Sequence, residues 1–355
     1  MRSSAATRTY GIFGAILAIC AVTGVLHFAD AEPVVVFLLA AAALAGLAWA
    51  IGVATEAVGA RFGAGLTGLL QSTLGNLPEL FVVLFALSAG EVVVAQTSIL
   101  GSLFANALLV LGLAIVAGSF AARDGVMRFR SRLSNDTATL LLLAVFIIVL
   151  LGLSDTVGDR ASKHAVAISA VGAVCLLVVY ALWLWGYLRS EERDPAIEEG
   201  SHGPFSFGTG IAVLAVAGVG AAFVSDWFVD ALDPAVRSLG ISKAFTGLVI
   251  VAIAGNAVEN LVGITLAAKG RADLAISVIK NSVAQIAVFL FPALVLLSLF
   301  FEHRLTFVLA PVYIGALALM ALAVWQITGD GEAVAFEGWA LVAIYIVLAV
   351  LTFYE

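Results

Sequence analysis

Residues 75–112 read GNLPELFVVLFALSAGEVVVAQTSILGSLFANALLVLG, and residues 255–292 read GNAVENLVGITLAAKGRADLAISVIKNSVAQIAVFLFP. The two stretches share a constant register. Identical residues stand 180 positions apart, at Gly75 and Gly255, Asn76 and Asn256, Glu79 and Glu259, Gly90 and Gly270, and Ser102 and Ser282. Because the register continues for 27 positions after the first match without a gap, the pattern indicates an internal duplication.

The composition is that of a membrane protein. Of the 355 residues, 63% are hydrophobic and 12% are charged, against roughly 25% charged in an ordinary soluble domain. With a mean hydropathy of +1.13, this excludes a water-soluble globular protein, a disordered chain and a secreted disulfide scaffold. The net charge of −7 comes with no basic tract, so nothing indicates nucleic-acid binding.

The apolar runs predict eleven transmembrane helices, each about 20 residues long. Their predicted bounds are 10–28, 33–53, 64–88, 92–118, 138–153, 164–188, 207–229, 244–268, 273–300, 304–327 and 334–353. Eleven Lys and Arg residues fall in the loops on one side and five in those on the other; Lys280 is the seventeenth. The positive-inside rule therefore predicts a cytoplasmic N-terminus.

We expect an all-α integral membrane protein with two inverted five-helix repeats and one extra N-terminal helix. The extra helix occupies residues 1–30, the first repeat 31–188, an acidic cytoplasmic linker 189–206 and the second repeat 207–355. Because five is an odd number, the second copy enters the membrane from the opposite side. In transporters with inverted repeats, the binding site lies near the midplane on interrupted helices.

The repeated motif supplies such interruptions. Gly75 and Pro78 flank Asn76 in one copy, and Gly255 precedes Asn256 in the other. A proline inside a helix has no N–H to donate, so a carbonyl upstream is released. Carbonyls released inside a protected cavity are good ligands for cations.

The two motif glutamates are the most informative side chains, since a charge at mid-bilayer costs roughly 2.5–3.5 kcal/mol on insertion scales. Ser72 and Asn76 share a helix face with Glu79, and Asn256 shares one with Glu259. The helices that follow each carry a polar stripe, made of Ser98, Ser102 and Asn106 in the first copy and of Asn281, Ser282 and Gln285 in the second. Close helix packing is the alternative explanation for the serines. A purely structural pairing with buried bases is the alternative for the glutamates.

An all-oxygen set of this kind suits a hard cation. Calcium accepts 6–8 oxygen ligands in irregular geometry, whereas zinc prefers nitrogen or sulfur. Protons and metal then compete for the same carboxylates, because either neutralises the buried charge. Competition at a site that opens alternately to each side is antiport.

The motifs GNLPEL and GNAVEN, followed by GSLFANALLVLG and NSVAQIAVFLFP, resemble the two α-repeats of the cation/calcium antiporter superfamily, in its calcium/proton exchanger branch. The resemblance covers nearly the whole chain after the first helix. It implies that Glu79 and Glu259 bind calcium and exchange it for protons. It also implies four further residues that line the site, which are Asn76, Asn256, Ser102 and Ser282, and two acidic residues at the cavity mouths, which are Glu56 and Asp226.

The chain departs from the family pattern at three places. Asn260 stands where the family commonly has histidine, and Asn281 precedes Ser282 where glycine is common. Lys280 stands where the family is apolar. One hypothesis is that Lys280 neutralises a site carboxylate; the other is that its side chain points away from the polar face and extends towards the cytoplasmic end of its helix.

The sequence thus predicts a secondary transporter rather than an enzyme, exchanging calcium for protons by alternating access in the inner (plasma) membrane. The alternative is a sodium or potassium/proton antiporter on the same fold. Gln285, Asn106, Lys280 and Asn260 are predicted modifiers of the site. No cofactor is predicted, and the predicted partners are the transported cations, protons and the lipid bilayer. The sequence does not fix the oligomeric state, and a homo-oligomer is one of the alternatives. A membrane hydrolase, which lacks a nucleophile–base pair here, and a passive channel are the more distant rivals.

Overall fold

The computed structural model describes residues 2–59, 74–189 and 205–355. This part of the chain is almost entirely helical, as expected where backbone hydrogen bonds cannot be made to water. Among the described residues, nine helical stretches are long and apolar enough to cross a membrane, and a bent pair around Gly255 makes a tenth. The all-α membrane fold is confirmed; Ser72, the start of the predicted 64–88 span and most of the linker lie outside the described residues.

In the described part of the first half, the main elements are eight α- and π-helical segments and one strand. They are α1 (Arg2–Phe28), α2 (Pro33–Gly59), α3 (Leu77–Ser88), α4 (Val92–Phe104), a π-helical turn π1 (Ala105–Val110), α5 (Leu111–Ala121), β1 (Val126–Arg128), α6 (Ser131–Thr156) and α7 (Ala165–Arg189). A short 3₁₀ turn, Arg160–His164, precedes α7.

The second half repeats this order with small differences. It contains α8 (Phe207–Leu239), α9 (Lys243–Phe245), π2 (Thr246–Val251), α10 (Ala252–Gly255), α11 (Ala257–Ala268), α12 (Ala272–Gln285), π3 (Ile286–Leu290), α13 (Phe291–Leu297), α14 (Pro311–Thr328), β2 (Glu332–Val334) and α15 (Ala335–Phe353). A 3₁₀ turn, Ser298–Phe300, follows α13.

Elements of the two halves recur at the offset found in the sequence. The bounds of α3 and α11 differ by 180 at both ends, and so do the first residues of α4 and α12 and of α6 and α14. The turns after α3 and α11 each contain a glycine with positive φ, 80° at Gly90 and 73° at Gly270. The backbone thus repeats together with the sequence, while the domain boundaries given above stay predictions.

Contacts between distant loops define the two sides of the molecule. On one side, called here the sheet side, β1 pairs antiparallel with β2, and the Asp273 carboxylate accepts from the Arg130 N–H at 2.7 Å. On the other, called the ion-pair side, Lys243 contacts Glu91. The span Val92–Ala121, which begins next to Glu91 and ends near β1, has 30 residues and is about 45 Å long.

This arrangement matches the inverted topology. The turn between α3 and α4 lies on the ion-pair side, whereas its counterpart between α11 and α12 lies on the sheet side. Which of the two sides is cytoplasmic stays a prediction from the loop charges.

Several predicted spans have corrected bounds: α2 ends at Gly59 rather than at 53, and α6 begins at Ser131 rather than at 138. Two further corrections have a clear physical reason. The apolar run predicts an end at 229, yet α8 continues through Pro234 to Leu239. Its last turns carry an Asp233–Arg237 ion pair of the i,i+4 kind that stabilises a solvated helix. The span predicted to start at 304 starts at Pro311 instead, since a proline is well suited to the first position of a helix.

Candidate cation-binding site

The two motif helices begin in the same way. Asn76 is the residue before α3, with φ −87° and ψ 6°, and Asn256 is the residue before α11, with φ −107° and ψ 13°. Pro78 occupies the first turn of α3, where its missing N–H costs nothing. Both asparagines are buried, so each copy places an amide at a break inside the membrane.

Polar contacts join the first copy to the second. The Asn256 Nδ2 donates to Ser102 Oγ at 2.8 Å and to the Ala252 carbonyl at 3.0 Å. The Asn106 Nδ2 donates to Asn256 Oδ1 at 3.3 Å and to the Ser102 carbonyl at 3.0 Å. Ser102, Asn106 and Asn256 are each at most 2% exposed, so this network is sealed from solvent and lipid.

The Glu79 carboxylate is buried next to the break of the second copy. Glu79 is 2% exposed, and a Cβ built on Gly255 would lie 3.9 Å from Glu79 Cβ. Its repeat mate Glu259 stands in the first turn of α11, and its side chain lies outside the described residues. The backbone therefore gives Glu259 the position in α11 that Glu79 has in α3.

A close helix crossing holds the two copies together. A Cβ on Gly101 of α4 would overlap the backbone of Leu248 in π2, and one on Gly247 would overlap Thr97. Both glycines therefore allow backbone-to-backbone contact. Polar and charged side chains mark the site in the sequence, and they do not identify Gly101 or Gly247. The one sequence feature that could have pointed to Gly101 is its position directly before the repeated Ser102.

Among the described residues, π2 forms one side of this crossing, and π1 and π3 are two further π-helical turns; the apolar pattern of the sequence predicts none of the three. π1 follows the Ser102 helix and contains Asn106, π3 follows the Ser282 helix, and π2 leads to the Asn256 break. Such turns leave regular i→i−4 bonding and are frequent at functional sites.

The predicted mouth residues lie far apart on an antiparallel helix pair. The rings of Phe37 in α2 and Phe228 in α8 stack at 4.7 Å, and Gly210 of α8 faces Ala54 and Val58. In this register Glu56 is near the sheet side and Asp226 near the ion-pair side, about 24 Å apart along the pair. Glu56 is exposed and Asp226 half-buried.

The remaining predicted site residue, Ser282, and the remaining predicted modifiers lie on α11 and α12. Ser282 and Gln285 are buried on α12, whereas Asn260 follows Glu259 on α11 and is half-buried. Lys280 is also buried, and its Nζ donates to Thr328 Oγ1, at the end of α14, at 2.7 Å. The structure thus directs the Lys280 ammonium towards a neighbouring helix at the sheet side.

The chemistry available is that of oxygen ligands. Within the described ranges, no group of three or more His, Cys, Asp or Glu residues forms a metal cluster. The residues that the structure brings together offer carboxylate, amide and hydroxyl oxygens, a donor set that suits a hard cation better than zinc.

Comparison with known proteins identifies the family. The model of the family described as "Sodium/calcium exchanger protein" matches residues 32–188 and 209–354. The chain belongs to this family. The matched ranges omit α1, which is the extra N-terminal helix, and the whole predicted linker, 189–206.

Relatives of this exchanger are named as transporters, not enzymes. It is 30% identical to a "Ca(2+)/H(+) antiporter" of Aphanothece halophytica, over 97% of this chain and 96% of that protein. It is 32% identical to a "Vacuolar calcium ion transporter" of Schizosaccharomyces pombe, over 90% of this chain and 79% of that protein.

Solved structures share the exchanger's fold. Native YfkE superposes with a TM-score of 0.81 at 27% identity, over 97% of this chain and all of that chain. The H⁺/Ca²⁺ exchanger CAX superposes with a TM-score of 0.77 over 96% of this chain and 88% of that chain, and its 17% identity supports the fold alone.

Proposed function

We propose that this exchanger moves calcium against protons across the membrane, the two ions competing for Glu79 and Glu259. Two of the relatives named above carry calcium in their names, and one of them carries the proton as well. The observation that carries the proposal is the approach of Gly255, at the break of the second copy, to Glu79 of the first, at 3.9 Å between their Cβ positions, because it brings the buried carboxylate of one motif beside the break of the other.

The proposed calcium ligands are the oxygens around this region. Glu79 supplies a buried carboxylate, and Glu259 supplies the second from the equivalent position of α11. The proposed supporting ligands and neighbours are Asn76, Asn256, Ser102 and Ser282. Calcium tolerates this irregular mixture of carboxylate, amide and hydroxyl oxygens, whereas magnesium requires a near-ideal octahedron.

Competition explains the coupling. A bound calcium ion or two bound protons neutralise the two carboxylates, whereas the empty ionised site keeps two charges that are costly inside a membrane. The site therefore changes its exposure with calcium or with protons bound, and changes it poorly when empty. We place Glu56 and Asp226 at the two mouths, where acidic side chains attract cations.

The test is calcium uptake into proteoliposomes with an imposed proton gradient. We expect uptake that collapses when the gradient is dissipated and that is lost in Glu79→Gln and in Glu259→Gln, since each substitution removes one exchangeable charge. The matched control is Glu302→Gln, which changes an exposed loop glutamate and leaves uptake unchanged.

Ion selectivity is measured on the same vesicles. Proton release on addition of calcium, and none on addition of sodium or potassium, supports the proposal. Proton release with a monovalent cation and no calcium uptake would move the function to a monovalent cation/proton antiporter. Uptake that proceeds without a gradient and without counterflow would indicate a channel.

The exchanger is a multi-pass membrane protein, and we propose the plasma membrane as its location with the N-terminus in the cytoplasm. The similarity to bacterial antiporters, such as that of Bacillus subtilis at 30% identity over 89% of this chain, supports this location. Cysteine accessibility at Thr9, measured from each side of oriented vesicles, tests the orientation.

A further inference from the structure

A cleft opens between α3 and α8 in the half of the membrane that adjoins the ion-pair side. Its volume is about 420 Å³, within the range of small-molecule sites. The side chains that line it are mainly apolar and aromatic, with one carboxylate among them: Phe81 and Phe85 of α3, and Gly218, Val219, Ala222, Phe223 and Asp226 of α8.

The level of Asp226 in the membrane follows from the next residue, Trp227. The indole of Trp227 packs on Gly24 near the end of α1, and the His27 ring stacks on it at 5.8 Å. Because α1 ends one residue later, at Phe28, Trp227 lies at the membrane boundary, where tryptophan is enriched. Asp226 therefore lies at headgroup level, and the cleft extends from it towards Gly218, about 12 Å deeper.

Asp226 is the one carboxylate among the residues that line the cleft. Asp230, one turn beyond Asp226, has its carboxylate 3.8 Å from His27 Nε2. Asp226 makes no ion pair within 4.0 Å in the part of the chain that the structure describes. A half-buried carboxylate above an aromatic cleft is complementary to an amphiphile with a cationic head, because the carboxylate accepts hydrogen bonds only and aromatic faces attract cations.

We propose that this cleft binds one phospholipid with a primary ammonium headgroup. The ammonium donates hydrogen bonds to Asp226, and one acyl chain fills the aromatic part of the cleft. The lipid lies between α8 and α3, whose Phe81 stands two residues after Glu79. This site shares Asp226, which the proposed function places at a cavity mouth, but it does not include the calcium ligands proposed above. Its occupancy is measured without transport, so the two proposals are tested separately.

The experiment is native mass spectrometry of the delipidated, purified full-length exchanger. The probes are phosphatidylethanolamine and phosphatidylglycerol with identical acyl chains, added at equal concentration. We expect the ethanolamine lipid to be retained about tenfold more than the glycerol lipid, the order of effect of one charge-assisted hydrogen bond. Asp226→Asn is expected to bring the ratio to about one, whereas Asp230→Asn keeps the wild-type ratio.

A second pair of variants tests the acyl part of the site. Ala222→Leu narrows the cleft and is expected to lower retention of both lipids. Ala215→Leu adds the same atoms to an exposed position of the same helix outside the cleft lining and retains both. Equal retention of the two lipids by the wild-type protein, or an unchanged preference in Asp226→Asn, would overturn the proposal.

Discussion

The crossing of α4 with π2 gives the sharpest prediction, through the substitution Gly101→Ala. A Cβ at this position would lie 2.5 Å from the Leu248 Cα and 2.7 Å from its carbonyl carbon, where ordinary van der Waals contact begins near 3.4 Å. The two backbones must therefore separate by about 1 Å, a distance that a packed interior resists. We expect overpacking to cost about 1–3 kcal/mol.

The separation also reaches the site, because Ser102 follows Gly101 directly. Its 2.8 Å bond from Asn256 lengthens to about 3.8 Å, beyond hydrogen-bond range, which costs about 1 kcal/mol more. Thermal unfolding in detergent and calcium uptake in vesicles measure the two effects. We expect a midpoint lowered by several degrees and a calcium affinity lowered at least tenfold.

Controls for this prediction come from other glycines. A Cβ added at Gly315 in α14 would meet no atom within 4 Å, so Gly315→Ala is expected to leave uptake unchanged and stability equal or slightly higher. Gly247 lies in the same crossing as Gly101, so the two substitutions are not independent. The double variant Gly101→Ala/Gly247→Ala is expected to lose less free energy of unfolding than the sum of the losses in the two single variants. Wild-type melting and uptake in Gly101→Ala would refute the close approach.

Three further predictions concern charged side chains. The Lys243 ammonium contacts Glu91 at 2.7 Å and also Asp233 of α8. Lys243→Met is therefore expected to lower the unfolding midpoint by a few degrees at low salt and by less in 1 M salt, where the ion pairs are screened. Lys243→Arg, which keeps the charge, is the control. Lys280→Leu is expected to leave ion selectivity and proton stoichiometry unchanged in flux assays, because the ammonium contacts α14; an altered calcium-to-sodium ratio would contradict this. The Arg128 guanidinium holds the pKa of Asp124 below its ordinary value. The small stabilisation by this exposed pair is therefore present above about pH 4 and is lost as the pH falls through the lowered pKa. The unfolding midpoints of Asp124→Asn and of the wild-type protein, measured as a function of pH, are expected to become equal in acid.

Most of the fold follows from the sequence because membrane helices are set by apolar length. The span predicted at 33–53 begins where α2 begins, and the span predicted at 334–353 matches α15 to within one residue. Two of the errors occur where another force decides the end of a helix. Ion pairs in water extend α8 beyond its apolar run, and a proline delays the start of α14.

The candidate site is predictable as a set of residues but not as a set of contacts. The constant offset selects Asn256 and Ser102, since both have repeat mates. It does not indicate that Asn256 of one copy bonds Ser102 of the other, because that contact depends on how the copies cross. The crossing depends on Gly101 and Gly247, and glycine is frequent throughout membrane helices.

Differences between the two copies bear on how the exchanger works. Asn106 of π1 donates to Asn256 in the other copy, yet the residue 180 positions later is Ile286. The second copy has its amide one position earlier, at Gln285, about 100° around the helix, and the buried Gln285 Oε1 accepts no hydrogen bond from any residue that the structure describes. Inverted repeats with identical linings would give equal energies to the two conformations that expose the site to opposite sides. Because one amide is held across the copies and the other keeps an unused acceptor, the alternating-access mechanism proposed above predicts that the two conformations differ in energy and that the cation is bound unequally from the two sides.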